Sequence, residues 1–267
     1  MQSEFVRKER YEIGDLLEIM ALLRSENGCP WDREQTHASI RKNFIEETYE
    51  AVEAIDKEDP VLLREELGDV LLQVVFHAQM EKERGSFTFN DVCDGICKKL
   101  IVRHPHIFGE ESLPDADAVH SRWEEIKKKT KGQKTGTETL EAVPKQLPAL
   151  MRATKVQQRA ERALGCSETP KEAWDKVREE ETELLGAVAE GDRKRDAEEL
   201  GDLLFATVGL ARKLELDPEE CLTASTEKFI RRFRIAEETA SSLGKDLSQC
   251  SDEELLSLWQ EAKKKQC

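Results

Sequence analysis

Apolar positions recur at three- and four-residue spacings along most of this chain, the period of helices rather than strands. The clearest element runs from Asp59-Pro60 to Gly85. Asp59 can cap a helix, Pro60 suits its first turn, and Gly85 stands where a left-handed residue closes one. The helix predicted between them, roughly 60–84, is apolar nearly all round: Leu62, Leu63, Leu67, Val70, Leu71, Leu72, Val74, Val75 and Phe76. A helix of that kind has to be covered on every side. Half of so polar a chain supplies too little cover, so packing on the other half or on a second subunit is expected. Apolar runs such as Leu203–Ala211 stay far below the ~20 residues that span a bilayer.

The helical texture breaks at Thr130–Thr139 (TKGQKTGTET), followed by Pro144 and Pro148, which reads as a linker. Its mid-chain position prompts a search for a repeat. EETYE at 46–50 answers to EEETE at 179–183, and EELGD at 65–69 recurs at 198–202, both at an offset of 133. Lys99 and Arg103 match Lys228 and Arg232 at an offset of 129, and each half ends in a tryptophan before a basic run, Trp123 and Trp259. The expected organisation is a tandem duplication: domains at 1–129 and 149–267 joined by a linker at 130–148.

Composition sharpens this. Only 14 glycines and 8 prolines punctuate 267 residues, which favours an all-α fold. Lys+Arg 41 against Asp+Glu 56 leaves a net charge of −15, a field that repels nucleic acid and anionic membranes. The charged start MQSEFVRKER shows no secretory leader, and seven cysteines without a CxxC pair suit reduced thiols in a cytoplasmic protein. Cys93 and Cys97 lie one helical turn apart, but no second ligand pair is near enough to complete a zinc site.

The chemistry lies in the acidic repeats. Glu47 and Glu50 are spaced i, i+3, as are Glu66 and Asp69, so each pair shares a helix face. In an antiparallel hairpin, residues equidistant from the turn face each other. The midpoint of Glu50 and Glu66 is 58, beside Asp59-Pro60; that of Glu183 and Glu199 is 191, at Gly191-Asp192. Each half should therefore gather four carboxylates: Glu47, Glu50, Glu66 and Asp69, then Glu180, Glu183, Glu199 and Asp202. Four such charges need compensation, and an all-oxygen set favours Mg²⁺, or Mn²⁺, over zinc. A di-iron bundle would need Glu-x-x-His on two helices, and no histidine stands at those positions. A solvated Glu-rich face explains one such motif better than two pairs repeated across two turns. A divalent-metal cluster with Lys99/Arg103 and Lys228/Arg232 downstream suits a polyphosphate substrate; helix-dipole compensation is the plainer role for those basic residues.

EExxE followed by ExxD on paired helices resembles the MazG family of nucleoside triphosphate pyrophosphohydrolases. The likeness extends to CPWDREQTH (29–37), LGDVLLQVVFHAQM (67–80), KLIVRHPHIFGE (99–110) and LGDLLFATVGLAR (200–212), as in the two-domain bacterial form. The resemblance implies tandem helical domains with four-helix-bundle cores completed by dimerisation, and Mg²⁺-dependent hydrolysis of NTPs or dNTPs between the α and β phosphates. It implies the eight carboxylates above as metal ligands. Glu46, Glu65, Glu179 and Glu198 beside them support the ligands from behind or orient water, Glu179 and Glu198 being the catalytic candidates of the second half. Lys228 and Arg232 are the implied phosphate contacts, with Trp259, and less directly Trp31 and Trp174, able to stack on a base or simply to pack. His104 and His106, around Pro105, read as a shaped loop rather than a ligand pair. Both halves keep all four carboxylates; the uninterrupted EKFIRRFR helix favours the second as catalyst. The competing reading is a non-catalytic nucleotide-binding or scaffolding protein, which the loss of a ligand from both halves would have supported.

Overall fold

The computed structural model describes residues 5–130 and 135–265. Among these residues every regular element is helical and there is no strand. The chain divides into two compact units, residues 1–127 and 128–267.

The first unit comprises α1 (Ile13–Leu23), α2 (Pro30–Glu34), α3 (Arg41–Asp56), α4 (Pro60–Glu83), α5 (Phe89–Arg103), α6 (Pro105–Phe108) and most of α7 (Ala116–Thr130). Helices α3 and α4 form an antiparallel hairpin. Glu58 turns it with φ +52°, and the Asp59 carboxylate accepts the backbone N–H groups of Val61 and Leu62, which would otherwise lack partners at the helix start. Gly85, at φ +74°, ends α4 where the sequence required it.

The core of this unit is Met20, Ile40, Val75, Phe76 and Met80, flanked by Leu16, Leu17, Leu72 and Phe89. All of it gathers on the second half of α4. The first half is different: Val61, Leu67 and Leu71 are exposed, as are Ile45, Tyr49 and Val52 on α3. The unit alone therefore covers only part of the helix that has to be covered all round. Phe76 lies inside this core with the Arg24 guanidinium 5.3 Å from its ring centre. Phe76→Ala is expected to destabilise the first unit by about 3–5 kcal/mol, the cost of lost burial plus a cavity, seen as a lower urea midpoint. An unchanged midpoint would place this core outside the cooperative unit.

The second unit comprises α8 (Gly136–Glu141), α9 (Ala149–Leu164), α10 (Pro170–Glu190), α11 (Arg193–Lys213), α12 (Pro218–Ser242), a 3-10 turn at Leu247–Gln249, and α13 (Asp252–Lys265). Helices α10 and α11 repeat the hairpin: Gly191 takes φ +75° and the Asp192 carboxylate accepts from the N–H of Lys194. Ala236, Ala240, Leu258 and Ala262 close α12 on α13. Small residues let those helices approach, while Leu185, Leu200, Leu204 and Phe205 of the α10–α11 hairpin stay exposed.

The stretch expected to be a linker, 130–148, carries structure of its own. Residues 131–134 lie outside the described residues, as does Cys267. Beyond them Thr135 and Glu138 form a reciprocal capping box that starts α8, the Arg159 Nη1 donates to the Thr139 carbonyl at 2.6 Å, and Val143 is buried. One cap and one buried valine dock the segment on α9, too short a pattern to register as periodicity. All six described cysteines are free thiols, and none of the described helices is long and apolar enough to cross a membrane.

Candidate active site

The two hairpins bring the acidic pairs face to face. Carboxylate oxygens of Glu47, Glu66 and Asp69 lie within 4.8 Å of one another, as do those of Glu180, Glu199 and Asp202. The expected fourth members, Glu50 and Glu183, border these triples without joining them. Residues i and i+3 are about 60° apart around a helix, so one member of the EExxE pair faces the opposing helix squarely and the other sits at its edge. Burial first, then the charges of Asp69, Glu50, Glu66 and Glu46, raise the Glu47 pKa. Burial, the Glu50 and Asp69 charges, the Glu65 charge and a hydrogen bond with Glu50 do the same to Glu66. Glu183 is raised by burial and by Glu180, Glu199 and Glu179. Like charges have been forced together in both units.

The units resolve this conflict differently, a feature the sequence reading missed. In the second unit the Lys176 ammonium lies 2.8 Å from Glu180 and 3.1 Å from Glu179, and the Arg195 Nε is 3.5 Å from Glu199. Each cation stands one helical turn before the carboxylate it meets. At the offset of 133 the first unit has Asn43 and Leu62 instead, and among the described residues no lysine or arginine pairs with Glu47, Glu66 or Asp69. Comparing the halves four residues before each acid would have exposed the difference.

A second feature outside the expected set fixes the first hairpin. The ring Nδ1 atoms of His37 and His77 are 2.6 Å apart and His37 Nε2 is 2.6 Å from Glu81. The His77 ring also meets Phe44, centres 5.8 Å apart. This ties the 35–40 loop and the start of α3 to α4, one turn from Glu47. Burial and the neighbouring His37 lower the His77 pKa.

The remaining predicted residues are less concentrated. Glu179 and Glu198 are exposed beside the second triple, and Lys228 is exposed on α12. Arg232 is half-buried on the same helix. Trp259 packs on Phe229, next to Lys228, with ring centres 5.0 Å apart. Arg103 lies over the Trp123 ring at 5.1 Å, and Lys99 is exposed. Trp31 is exposed; Trp174, also exposed, has the Arg178 guanidinium 5.9 Å from its ring. His104 Nδ1 contacts the Leu100 carbonyl at 2.6 Å, and the expected loop around Pro105 is instead the short helix α6, which contains His106.

The chemistry of the donor sets fits a hard divalent cation: three carboxylate oxygens per triple, no nitrogen or sulfur, and a further carboxylate at the rim. A family model described as the MazG nucleotide pyrophosphohydrolase domain matches twice, at residues 35–108 and 168–234, spans that contain the two acidic hairpins. The nucleoside triphosphate pyrophosphohydrolase of Escherichia coli strain K12 is 45% identical over 258 residues, covering 96% of this chain and 98% of that protein. The Thermotoga maritima nucleoside triphosphate pyrophosphohydrolase/pyrophosphatase MazG is 43% identical over 249 residues, with 93% and 94% covered. Bacillus subtilis YabN is 44% identical over 254 residues, 95% of this chain but 52% of that longer protein. Two family matches on two like hairpins, with near full-length relatives, establish that the chain belongs to the MazG nucleotide pyrophosphohydrolase family.

Proposed function

We propose that this protein is a nucleoside triphosphate pyrophosphohydrolase that cleaves NTPs or dNTPs at the α–β bond in a Mg²⁺-dependent reaction, clearing unwanted nucleotides from the cytoplasmic pool. The observation that carries this reading is the carboxylate triple built by each antiparallel hairpin. Glu180, Glu183, Glu199 and Asp202, and likewise Glu47, Glu50, Glu66 and Asp69, would hold Mg²⁺, or Mn²⁺ in its place. When bound, the ion supplies charge neutralisation at the phosphates and a more acidic water. Glu179 and Glu198, exposed beside the triple, would orient a water and accept its proton. Water adds across the α–β anhydride, so the products are a nucleoside monophosphate and pyrophosphate.

Catalysis is assigned to the second unit. Lys176 and Arg195 stabilise its acids in the absence of metal, and once those acids turn to a cation both are one turn away from incoming phosphates. Lys228 and Arg232 take further phosphate charge, with Trp259 beside them. Lys99 and Arg103 are the corresponding contacts of the first unit, where Arg103 would first have to leave the Trp123 ring. The test is product analysis with a panel of NTPs and dNTPs in Mg²⁺ and in EDTA. Monophosphate plus pyrophosphate, lost in EDTA, is expected. Diphosphate plus orthophosphate would overturn the assignment of the bond, and binding without turnover would favour a non-catalytic nucleotide-binding protein.

The same reading includes a homodimer or higher homo-oligomer. Exposed Leu67 and Leu71 of α4, and Leu200 and Leu204 of α11, are apolar side chains that a partner's hairpin would cover. Sedimentation should give at least twice the 30.5 kDa chain mass; a monomer at micromolar concentration would contradict it.

A further inference from the structure

We propose that Glu81, His37 and His77 form a proton-operated latch: the bond between the two rings holds the 35–40 loop and the start of α3 against α4, and a second proton taken up by the pair releases them. This does not depend on the triphosphate reading above. The ring geometry sets how many protons the latch tolerates. The ring planes lie 3° from parallel with centres 4.9 Å apart, yet the Nδ1 atoms approach to 2.6 Å. Rings stacked face to face keep their atoms about 3.5 Å apart, so these two meet head-on, nitrogen to nitrogen. Such a contact needs one nitrogen protonated and the other bare. The Glu81 carboxylate lies 2.6 Å from His37 Nε2 and is itself held by Arg84 Nη1 at 2.9 Å and by Ser86. An ionised carboxylate only accepts, so His37 Nε2 carries a proton. With His37 neutral, its bare Nδ1 accepts from His77. With His37 an imidazolium, its Nδ1–H donates to His77 and Glu81 balances the charge. The chain stays joined in both states. A further proton, on His77, sets N–H against N–H and positive against positive, and the bond is lost.

The surroundings leave that step to the pair itself. Burial and the charge of His37 both oppose it, so the latch opens on the acid side of the usual histidine range near ~6.5. The charged groups of the other helices packed on this part of α4 are engaged elsewhere: Arg24, closing α1, with Glu83 at 2.8 Å, and Asp91 of α5 with Thr88. Helix α3 meets the His77 ring through Phe44, while its Arg41 and Lys42 are exposed. What the latch holds is the entry to the first hairpin. Ile40, 3% exposed in the core beside Val75 and Phe76, is the next anchor of the same segment, and Glu47 follows Phe44 by one turn. At the offset of 133 the second unit has Pro170 and Leu210 in place of the two histidines. The acid response therefore belongs to the first unit alone, and the second serves as an internal control.

Two measurements on the full-length protein test this, both in EDTA so that loss of metal in acid does not contribute. The first follows the ring nitrogens of ¹⁵N-histidine-labelled wild type by NMR on acidification from neutral pH. One bare and one protonated Nδ1 are expected for His37 and His77 at the start, and two imidazolium rings in acid; two bare Nδ1 atoms at neutral pH would refute the bond. The second is amide hydrogen exchange, corrected for the intrinsic effect of pH. Protection of residues 39–46 should fall at least tenfold over the interval in which the second ring becomes charged, while residues 173–180 change less than twofold. Protection that persists with both rings charged, or that falls equally in the two segments, would overturn the proposal. His77→Phe keeps a flat ring beside Phe44 but takes no proton. In it, residues 39–46 should be less protected than wild type at neutral pH and lose no further protection in acid, since a charged His37 still has Glu81. An acid loss as large as in wild type would also overturn the latch. If His77→Phe fails to fold, the two wild-type measurements decide.

Discussion

Asp202→Asn should lower turnover of nucleoside triphosphates by about 10²-fold or more while leaving the fold intact. The substitution keeps shape and removes one charge from a triple whose oxygens lie within 4.8 Å. Asp202 is exposed at the rim rather than packed in a core, so the loss should fall on metal and substrate binding rather than stability. Removing one like charge relieves repulsion, and the metal-free variant should melt no lower than the wild type. Glu199→Gln should behave alike for turnover, although it also removes one of the two carboxylate partners of Arg195, Glu190 being the other. The matched change in the first unit, Asp69→Asn, separates the halves. Wild-type turnover in Asp69→Asn with loss in Asp202→Asn would assign catalysis to the second unit. The reverse pattern would move it to the first, and full activity in both would remove the metal assignment.

Divalent metal should raise thermal stability strongly, and acid should partly mimic it. Glu47 and Glu66 are held above the usual carboxylate range by burial first and by neighbouring carboxylates next. A carboxyl whose folded pKa exceeds its unfolded value binds protons more readily when folded. Folding stability therefore increases as pH falls from neutral through the raised pKa, and the gain is complete below the unfolded value near ~4.3. Metal-free protein should accordingly melt higher near pH 5 than near pH 7. A cation that binds only the folded state at a hundred times its Kd adds about 2.7 kcal/mol, a rise on the order of 10 °C for units of this size. With Mg²⁺ present the acid gain should vanish, because protons then compete with the metal. Scanning calorimetry at both pH values, with Mg²⁺ and with EDTA, checks the signs. A metal-free protein that loses stability between pH 7 and pH 5 would mean that other groups, His77 with its burial-lowered pKa first among them, outweigh the acids.

Much of this architecture was written in short patterns. Asp59-Pro60, Gly85 and Gly191-Asp192 placed both hairpin turns because caps and left-handed residues act locally, within a turn of the chain. The midpoint rule then aligned the acidic pairs, since antiparallel helices of equal step leave little freedom in register. The segment after Thr135 escaped notice because its order comes from one capping box and from the bond of Arg159 to the Thr139 carbonyl, and Arg159 lies on a helix that the pattern of 130–148 does not contain. Lys176 and Arg195 escaped for another reason: a lysine or arginine one turn from a glutamate is common on any polar helix, and only the triple makes it a counter-charge.

The sequence by itself determined the helices, the duplication, the two acidic hairpins and the family, because each depends on spacing within one helix or across one tight turn. The tertiary structure decided which three of each four carboxylates converge and that, among the described residues, only the second triple carries its own cations. It also set the His37 ring against that of His77. Those outcomes depend on distances between side chains from separate helices, and an interhelical distance is fixed by how the whole face packs rather than by any local run of residues.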